Sequence, residues 1–191
     1  TFPARFMLVA AMNPCPCGYL TDPHHSCRCT PTKVQHYLGK LSGPLLDRID
    51  LHIEVPAVPF DALTQPSDGE PSASIKQRIL RARARQHKRL KRDKLFANAQ
   101  MRHREIRKLC VMTDPAKALL KHAMEELKFS ARAYDKILKV ARTIADLAEV
   151  DRLASVGTPI AHPRARSQDL IQPDHIAEAI QYRSLDRQLW A

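Results

Sequence analysis

Glycine is scarce in this 191-residue chain: there are five, Gly18, Gly39, Gly43, Gly69 and Gly157, and none sits in a Gly-x-x-x-x-Gly-Lys-Ser/Thr run. A loop that cradles nucleotide phosphates through consecutive backbone N–H groups is therefore not encoded in these residues. No hydrophobic stretch ends in paired acids that would hold magnesium beside such a loop. No apolar run approaches the ~20 residues that span a bilayer, and no secretory signal opens the chain. The expectation is a cytoplasmic protein with no membrane partner. Thr1-Phe2-Pro3, with no Met ahead of it, reads as a processed terminus or an excised fragment. There is one Trp. Five cysteines are too few and too clustered for a secreted disulfide framework, and one is left over.

What the chain does have is positive charge in one place. Its net charge is +11. Residues 1–69 hold five Lys/Arg and six Asp/Glu, and residues 112–191 hold twelve and eleven. Residues 70–111 hold fourteen and three, so this segment carries the whole excess. A localised basic block suggests a polyanion partner, the plainer alternative being a solvated helix face.

The cysteines are the second concentration. Phe6 to Met12 is apolar and reads as a buried strand, which Asn13-Pro14 ends because proline cannot continue the pairing. Cys15-Pro16-Cys17 and Cys27-Arg28-Cys29 follow within the polar loop 14–32. Two tight clips of thiols suit a closed tetrahedral Zn²⁺ site on Cys15, Cys17, Cys27 and Cys29. Disulfides, reduced thiols or an iron–sulfur cluster are the alternatives, and His24 or His25 can stand in for a cysteine. Cys110, between Leu109 and Val111, reads as a core thiol.

Further on, Lys33 to Leu41 predicts a short helix, Ser42-Gly43-Pro44 a helix start, and Leu51-His52-Ile53-Glu54-Val55 a second strand by its period of two. Prolines mark a linker over 58–74. From Ile75 to about Leu95 the pattern predicts a long basic helix, with Ile75, Ile79, Ala82 and Gln86 on its weak inner face. Between 76 and 94 ten Lys/Arg face one acid, Asp93, and Arg81, Arg85, Lys88 and Arg92 are the expected DNA contacts. A short helix over Arg102–Leu109, one capped by Asp114-Pro115, one capped by Ser130 and one opened by Pro173-Asp174 follow. The Ser130 helix is expected to bury Ala133, Ile137, Val140, Ala141, Ile144 and Ala148. Residues 151–172 read as loop, and the last helix should bury Ile176, Ala177 and Ile180.

Three pieces, taken in order, resemble the second half of an AAA+ ATPase: Ala11-Met12-Asn13-Pro14 closing a strand, Gly43-Pro44-Leu45-Leu46-Asp47-Arg48-Ile49-Asp50-Leu51, and Ser130-Ala131-Arg132-Ala133-Tyr134 opening a helix. The resemblance covers nearly the whole chain. It is to the magnesium-chelatase-like branch, most closely its ComM/YifB type, which the four-cysteine loop and Ala141-Arg142-Thr143-Ile144-Ala145-Asp146-Leu147 also fit. It implies an α/β remnant of an AAA+ core over 1–57 and a mainly α-helical lid over 75–191. It implies Asn13 as sensor 1, Arg48 as arginine finger and Arg132 as sensor 2. Phosphoryl transfer needs a positioned water and fixed cations on the phosphate oxygens, so the residue types are apt. Read locally, Asn13 can simply cap a turn, Arg48 can be a helix C-terminal cation, and Arg132 a solvent-exposed one.

The resemblance further implies a hexameric motor that acts on DNA as a branch-migration helicase during uptake and recombination of DNA. Its partners would be DNA and other copies of the subunit in a ring, with ATP and Mg²⁺ bound only in a complete parent. The 191 residues alone should not hydrolyse ATP. A magnesium-chelatase ATPase subunit is one alternative, and a non-enzymatic zinc-containing nucleic-acid-binding protein is another.

Overall fold

The computed structural model describes residues 6–56, 58, 69–156 and 170–183. The chain divides into two units, Thr1–Ser42 with Glu54–Leu63, and Gly43–Ile53 with Thr64–Ala191.

In the first unit the one regular element among the described residues is helix α1 (Pro31–Leu38). Thr30 caps it, its hydroxyl accepting from the Lys33 N–H at 3.3 Å. Pro31 sits in the first turn, where the missing N–H has no helical partner to lose. The expected strand over Phe6–Met12 does not form: the segment is extended but joins no ladder. Phe6 is 76% and Val9 83% exposed. The physical reason is that a strand is stable only as part of a sheet, where neighbours satisfy its backbone and a facing layer covers its side chains. Among the described residues no such neighbour exists, so the expected α/β character is absent there. Leu51–Val55, the other expected strand, is likewise unladdered. Its His52 N–H bonds instead to the Tyr182 carbonyl at 2.8 Å within the second unit.

The second unit is helical. Its elements are α2 (Gly43–Leu46), α3 (Ser72–Leu90), α4 (His103–Leu109), α5 (Asp114–Glu126), α6 (Ala131–Val156) and α7 (Pro173–Gln181), with 3₁₀ turns at Lys91–Asp93 and Asn98–Gln100. Helix α6 is the spine and packs against α3, α4 and α7, while α5 packs on α7. The core joins Leu90, Met101, Ile106, Leu120, Ile137, Leu138, Ala141, Ile171, Ile176 and Ile180. Cys110 is buried in it, as its apolar neighbours suggest. A parallel bridge, Met112 to Ile171, ties the start of α5 to the start of α7.

Several boundaries differ from the sequence expectation. Helix α3 ends at Leu90, and after one 3₁₀ turn the chain leaves through Lys94 in a left-handed conformation, φ 55°. Its buried side is Ala82, Gln86 and Leu90, while Ile75 and Ile79 are exposed. The cap of α5 is Thr113, whose hydroxyl accepts from Ala116 N–H, rather than Asp114. Ser130 does cap α6, accepting from Ala133 N–H at 3.1 Å. That helix runs on through Val156, six residues into the expected loop. Residues 157–169 of that loop lie outside the described residues, as do linker residues 59–68 and residues 184–191. In α7 it is Ala179 that is buried, with Ile176 and Ile180, and Ala177 is exposed.

Candidate metal centre and nucleic-acid interface

Cys15, Cys17, Cys27 and Cys29 converge, with their four sulfurs all within 4.8 Å of one another. The Cys15–Cys17, Cys17–Cys27 and Cys15–Cys27 separations are 3.3, 3.6 and 3.7 Å. Four sulfurs at about 2.3 Å from one tetrahedral ion stand about 3.8 Å apart. The set therefore fits a small tetrahedral metal ion nearly as it stands. It does not fit a disulfide, which needs about 2.05 Å, and all four thiols are free. The two clips are shaped locally. Gly18 takes φ +86° and returns its N–H to the Cys15 carbonyl at 3.0 Å, a turn that a side chain would strain. Between the clips Asp22 accepts from the His24 and His25 N–H groups at 2.7 and 3.1 Å. It also meets the His25 ring nitrogen at 3.2 Å. His24 and His25 thus serve Asp22 and stay outside the sulfur cluster, so the histidine-substituted ligand set is not the one formed.

The loop prepares one thiolate and withholds others. The nearby backbone N–H groups of Tyr19 and then Arg28 favour the Cys17 thiolate and lower its pKa to about 6. At Cys27 the Cys29 N–H, 3.4 Å away, works in the same direction, but partial burial and the Cys17 and Cys15 thiols prevail and push it up to about 12. Partial burial, then the Cys17 thiol, raises Cys29. A cation would displace the protons these two hold.

Helix α3 and the 3₁₀ turn that follows it carry the basic block. Of the ten Lys/Arg between 76 and 94, seven are exposed: Lys76, Arg81, Arg83, Lys88, Lys91, Arg92 and Lys94. Among the expected DNA contacts, Arg81, Lys88 and Arg92 are exposed and Arg85 is half-buried. Two cations of the block are engaged by acids: Arg78 pairs with Glu70 at 3.1 and 3.0 Å, and Arg89 grips Asp146.

The three nucleotide-side candidates fall in different places. Asn13 is exposed in the first unit, with its amide beside Gly18. Arg48 and Arg132 are both exposed in the second unit. Their flanking residues are joined directly. Ser130 Oγ donates to Asp47 Oδ2 at 3.3 Å, and Lys136 meets Asp50 at 2.6 Å. Arg183 donates to the Ile49 carbonyl and lies 3.8 Å from Asp47. Arg48 itself donates to the Pro44 carbonyl of α2. The segment 43–53 is therefore strapped to the first turns of α6, next to Arg132.

The sequence reading missed the charged core. Arg142 is 1% and Asp146 0% exposed. Asp146 accepts two bonds from Arg89, at 2.8 and 2.6 Å, one from Arg142 at 3.1 Å and one from Asn98 at 3.0 Å. Asn98 also donates to Thr143 Oγ1 at 3.0 Å and accepts from Arg89 at 3.0 Å. Burial pushes the Asp146 carboxyl up, yet the guanidinium bonds and charges outweigh it and hold its pKa below the usual value. The available signal was an Arg and an Asp four apart on one helix face, inside an otherwise apolar stripe.

Comparison with known proteins gives one consistent result. A family model for magnesium chelatase, subunit ChlI, matches residues 1–63. The model for the C-terminal part of the same subunit matches residues 69–159. The YifB protein of Escherichia coli K12 is 42% identical over 190 residues, and that of Salmonella typhimurium LT2 is 40% identical over 190 residues. Each alignment covers 99% of this chain and 33% of the relative. Competence protein ComM of Haemophilus influenzae is 41% identical over 189 residues, 98% of this chain and 32% of ComM. The chain thus spans about a third of the length of the curated relatives it matches. It belongs to the magnesium-chelatase-like family of AAA+ proteins and is of the ComM/YifB type.

Proposed function

We propose that this chain is the lid-side part of a ring-forming AAA+ motor that acts on DNA, of the branch-migration helicase type. It would supply Asn13 as sensor 1, Arg48 as arginine finger and Arg132 as sensor 2. The observation that carries the reading is the Asp47–Ser130 hydrogen bond. It supports a common address for Arg48 and Arg132, so that two permanent cations can meet one nucleotide's phosphates. The phosphate loop and the magnesium-holding acids would come from sequence beyond these residues. So would the strands that cover the apolar segment Phe6–Met12.

The competence role printed for ComM and the exposed cations of α3 both favour DNA as the substrate. Those cations would neutralise phosphates without reading sequence. The four-thiol loop would bind one structural Zn²⁺, a closed site with no open position for catalysis. A cytoplasmic site of action fits the reading, and no helix among the described residues is long and apolar enough to cross a membrane.

The test is ATP turnover. The 191-residue chain should show none. The full-length gene product should hydrolyse ATP faster when DNA is added, and Arg48→Ala or Arg132→Ala should each lower its turnover by at least about a hundredfold. Wild-type turnover in both variants would reject the assignment.

A further inference from the structure

The four-thiol loop presents more than sulfur. Tyr19 lies two residues after Cys17 and Arg28 lies between Cys27 and Cys29. The four sulfurs of the loop lie within 4.8 Å of one another, so the thiol cluster gathers the two segments, nine residues apart, into one loop. Arg28 is exposed, and Tyr19 is 44% exposed. The Tyr19 ring lies 5.0 Å from the His25 ring at 32°. His25 is held in turn by Asp22, at both its N–H and its ring nitrogen. Leu20, the neighbour of Tyr19, is also exposed. The cysteine-gathered loop thus carries an exposed aromatic pair, fixed through His25 by Asp22, and an exposed guanidinium. Asp22 is the sole acid among the described residues of this unit up to Ser42, and its oxygens are already engaged locally. The surface left over is aromatic and cationic.

We infer that this loop is a base-stacking platform for single-stranded nucleic acid, with Tyr19 and His25 receiving a base and Arg28 the neighbouring phosphate. Stacking needs an exposed ring whose orientation is fixed beforehand, and it tolerates any base because every base has a π-face. Duplex DNA keeps its bases stacked on one another and offers nothing to such a ring. The platform therefore distinguishes single strands from duplex, whereas the cations of α3 do not. The inference rests on the DNA-directed reading above and adds a second, chemically different contact to it.

The experiment uses the whole chain, loaded with zinc in reducing buffer, and fluorescent oligo-dT and a duplex of equal length as probes. Tyr19→Ala should weaken oligo-dT binding by about tenfold and leave duplex binding unchanged. Tyr19→Trp, in a Trp190→Phe background, should keep oligo-dT affinity, and the new indole emission should be quenched on binding. Metal content identical to wild type shows that the loop is still folded in each variant. Wild-type oligo-dT affinity in Tyr19→Ala with full metal content, or no quenching in Tyr19→Trp, overturns the inference. The joint replacement of Arg81, Arg85, Lys88 and Arg92 by Ala separates the two readings. If it lowers duplex binding while Tyr19→Ala changes nothing, DNA binding through α3 stands and the platform fails. If neither variant changes binding to either probe, both fail.

Discussion

Arg89 on α3 and Asp146 on α6, 57 positions apart, meet through two hydrogen bonds of 2.8 and 2.6 Å. The pair locks the basic helix to the spine of the second unit. Removing one partner of a buried pair strands the other's charge and typically costs about 3–5 kcal/mol. Asp146→Ala should therefore lower the melting temperature by roughly 10 °C, taking 2–4 °C per kcal/mol for a chain of this size. The sign with pH follows from the depressed folded-state pKa of Asp146. Its stabilisation is full above the unfolded carboxyl value of about 3.9 and is lost as pH falls through the lower folded value. Thermal melts of the wild type should weaken across that acid window, and melts of Asp146→Asn should weaken less steeply there.

The thiol loop predicts one Zn²⁺ per chain by mass spectrometry, abolished by replacing Cys15 and Cys17 together with Ser. Cys27 and Cys29 sit above their ordinary pKa without metal, so binding must expel their protons. Zinc affinity should then rise with pH, and isothermal titration in buffers of different ionisation enthalpy should report two or more protons released. Protein that takes up no zinc under reducing conditions would reject the site.

For the basic block, about four to six cations reaching phosphates give a slope of log K against log salt of roughly −3.5 to −5.5 for duplex DNA. Replacing Arg81, Arg85, Lys88 and Arg92 with Ala should flatten that slope by about two or more. Helix content should hold, since Ala is the better helix former. Circular dichroism and salt-titrated anisotropy together check this. An unchanged slope would leave these residues as a solvated face.

The thiol clips were legible because close cysteine pairs have few structural uses in a reduced protein, and the clips met as their spacing implied. The helices of the second unit were legible from periodicity and caps, with Ser130 the clearest case. The strand expected at Phe6–Met12 failed because its apolar run reports what the segment can bury. It does not report whether a sheet partner lies within these residues. Of the stripe expected on α6, Ala133, Ile137 and Ala141 are fully buried and Val140 and Ile144 pack at the edge of the core, while Ala148 is exposed and Leu138, Arg142, Ala145 and Asp146 are buried beside them. A pattern search for apolar residues passes over Arg142 and Asp146, which are buried only because Arg89 and Asn98 arrive from elsewhere to satisfy them. The strap of 43–53 onto α6 is a long-range tie, and no local pattern encodes it.

As the proposed arginine finger, Arg48 would reach across the subunit boundary to a nucleotide held by the neighbouring subunit of the ring. Mixed rings of the full-length gene product test it most directly. One set of subunits carries Arg48→Ala, and the other carries an inactivated phosphate loop. Each should be silent alone. Mixed together, they form some interfaces that pair an intact loop with an intact Arg48, and ATP turnover should reappear with a maximum near equal proportions. Turnover by Arg48→Ala rings alone at the wild-type rate, or silence at every mixing ratio despite normal ring assembly, would contradict the account.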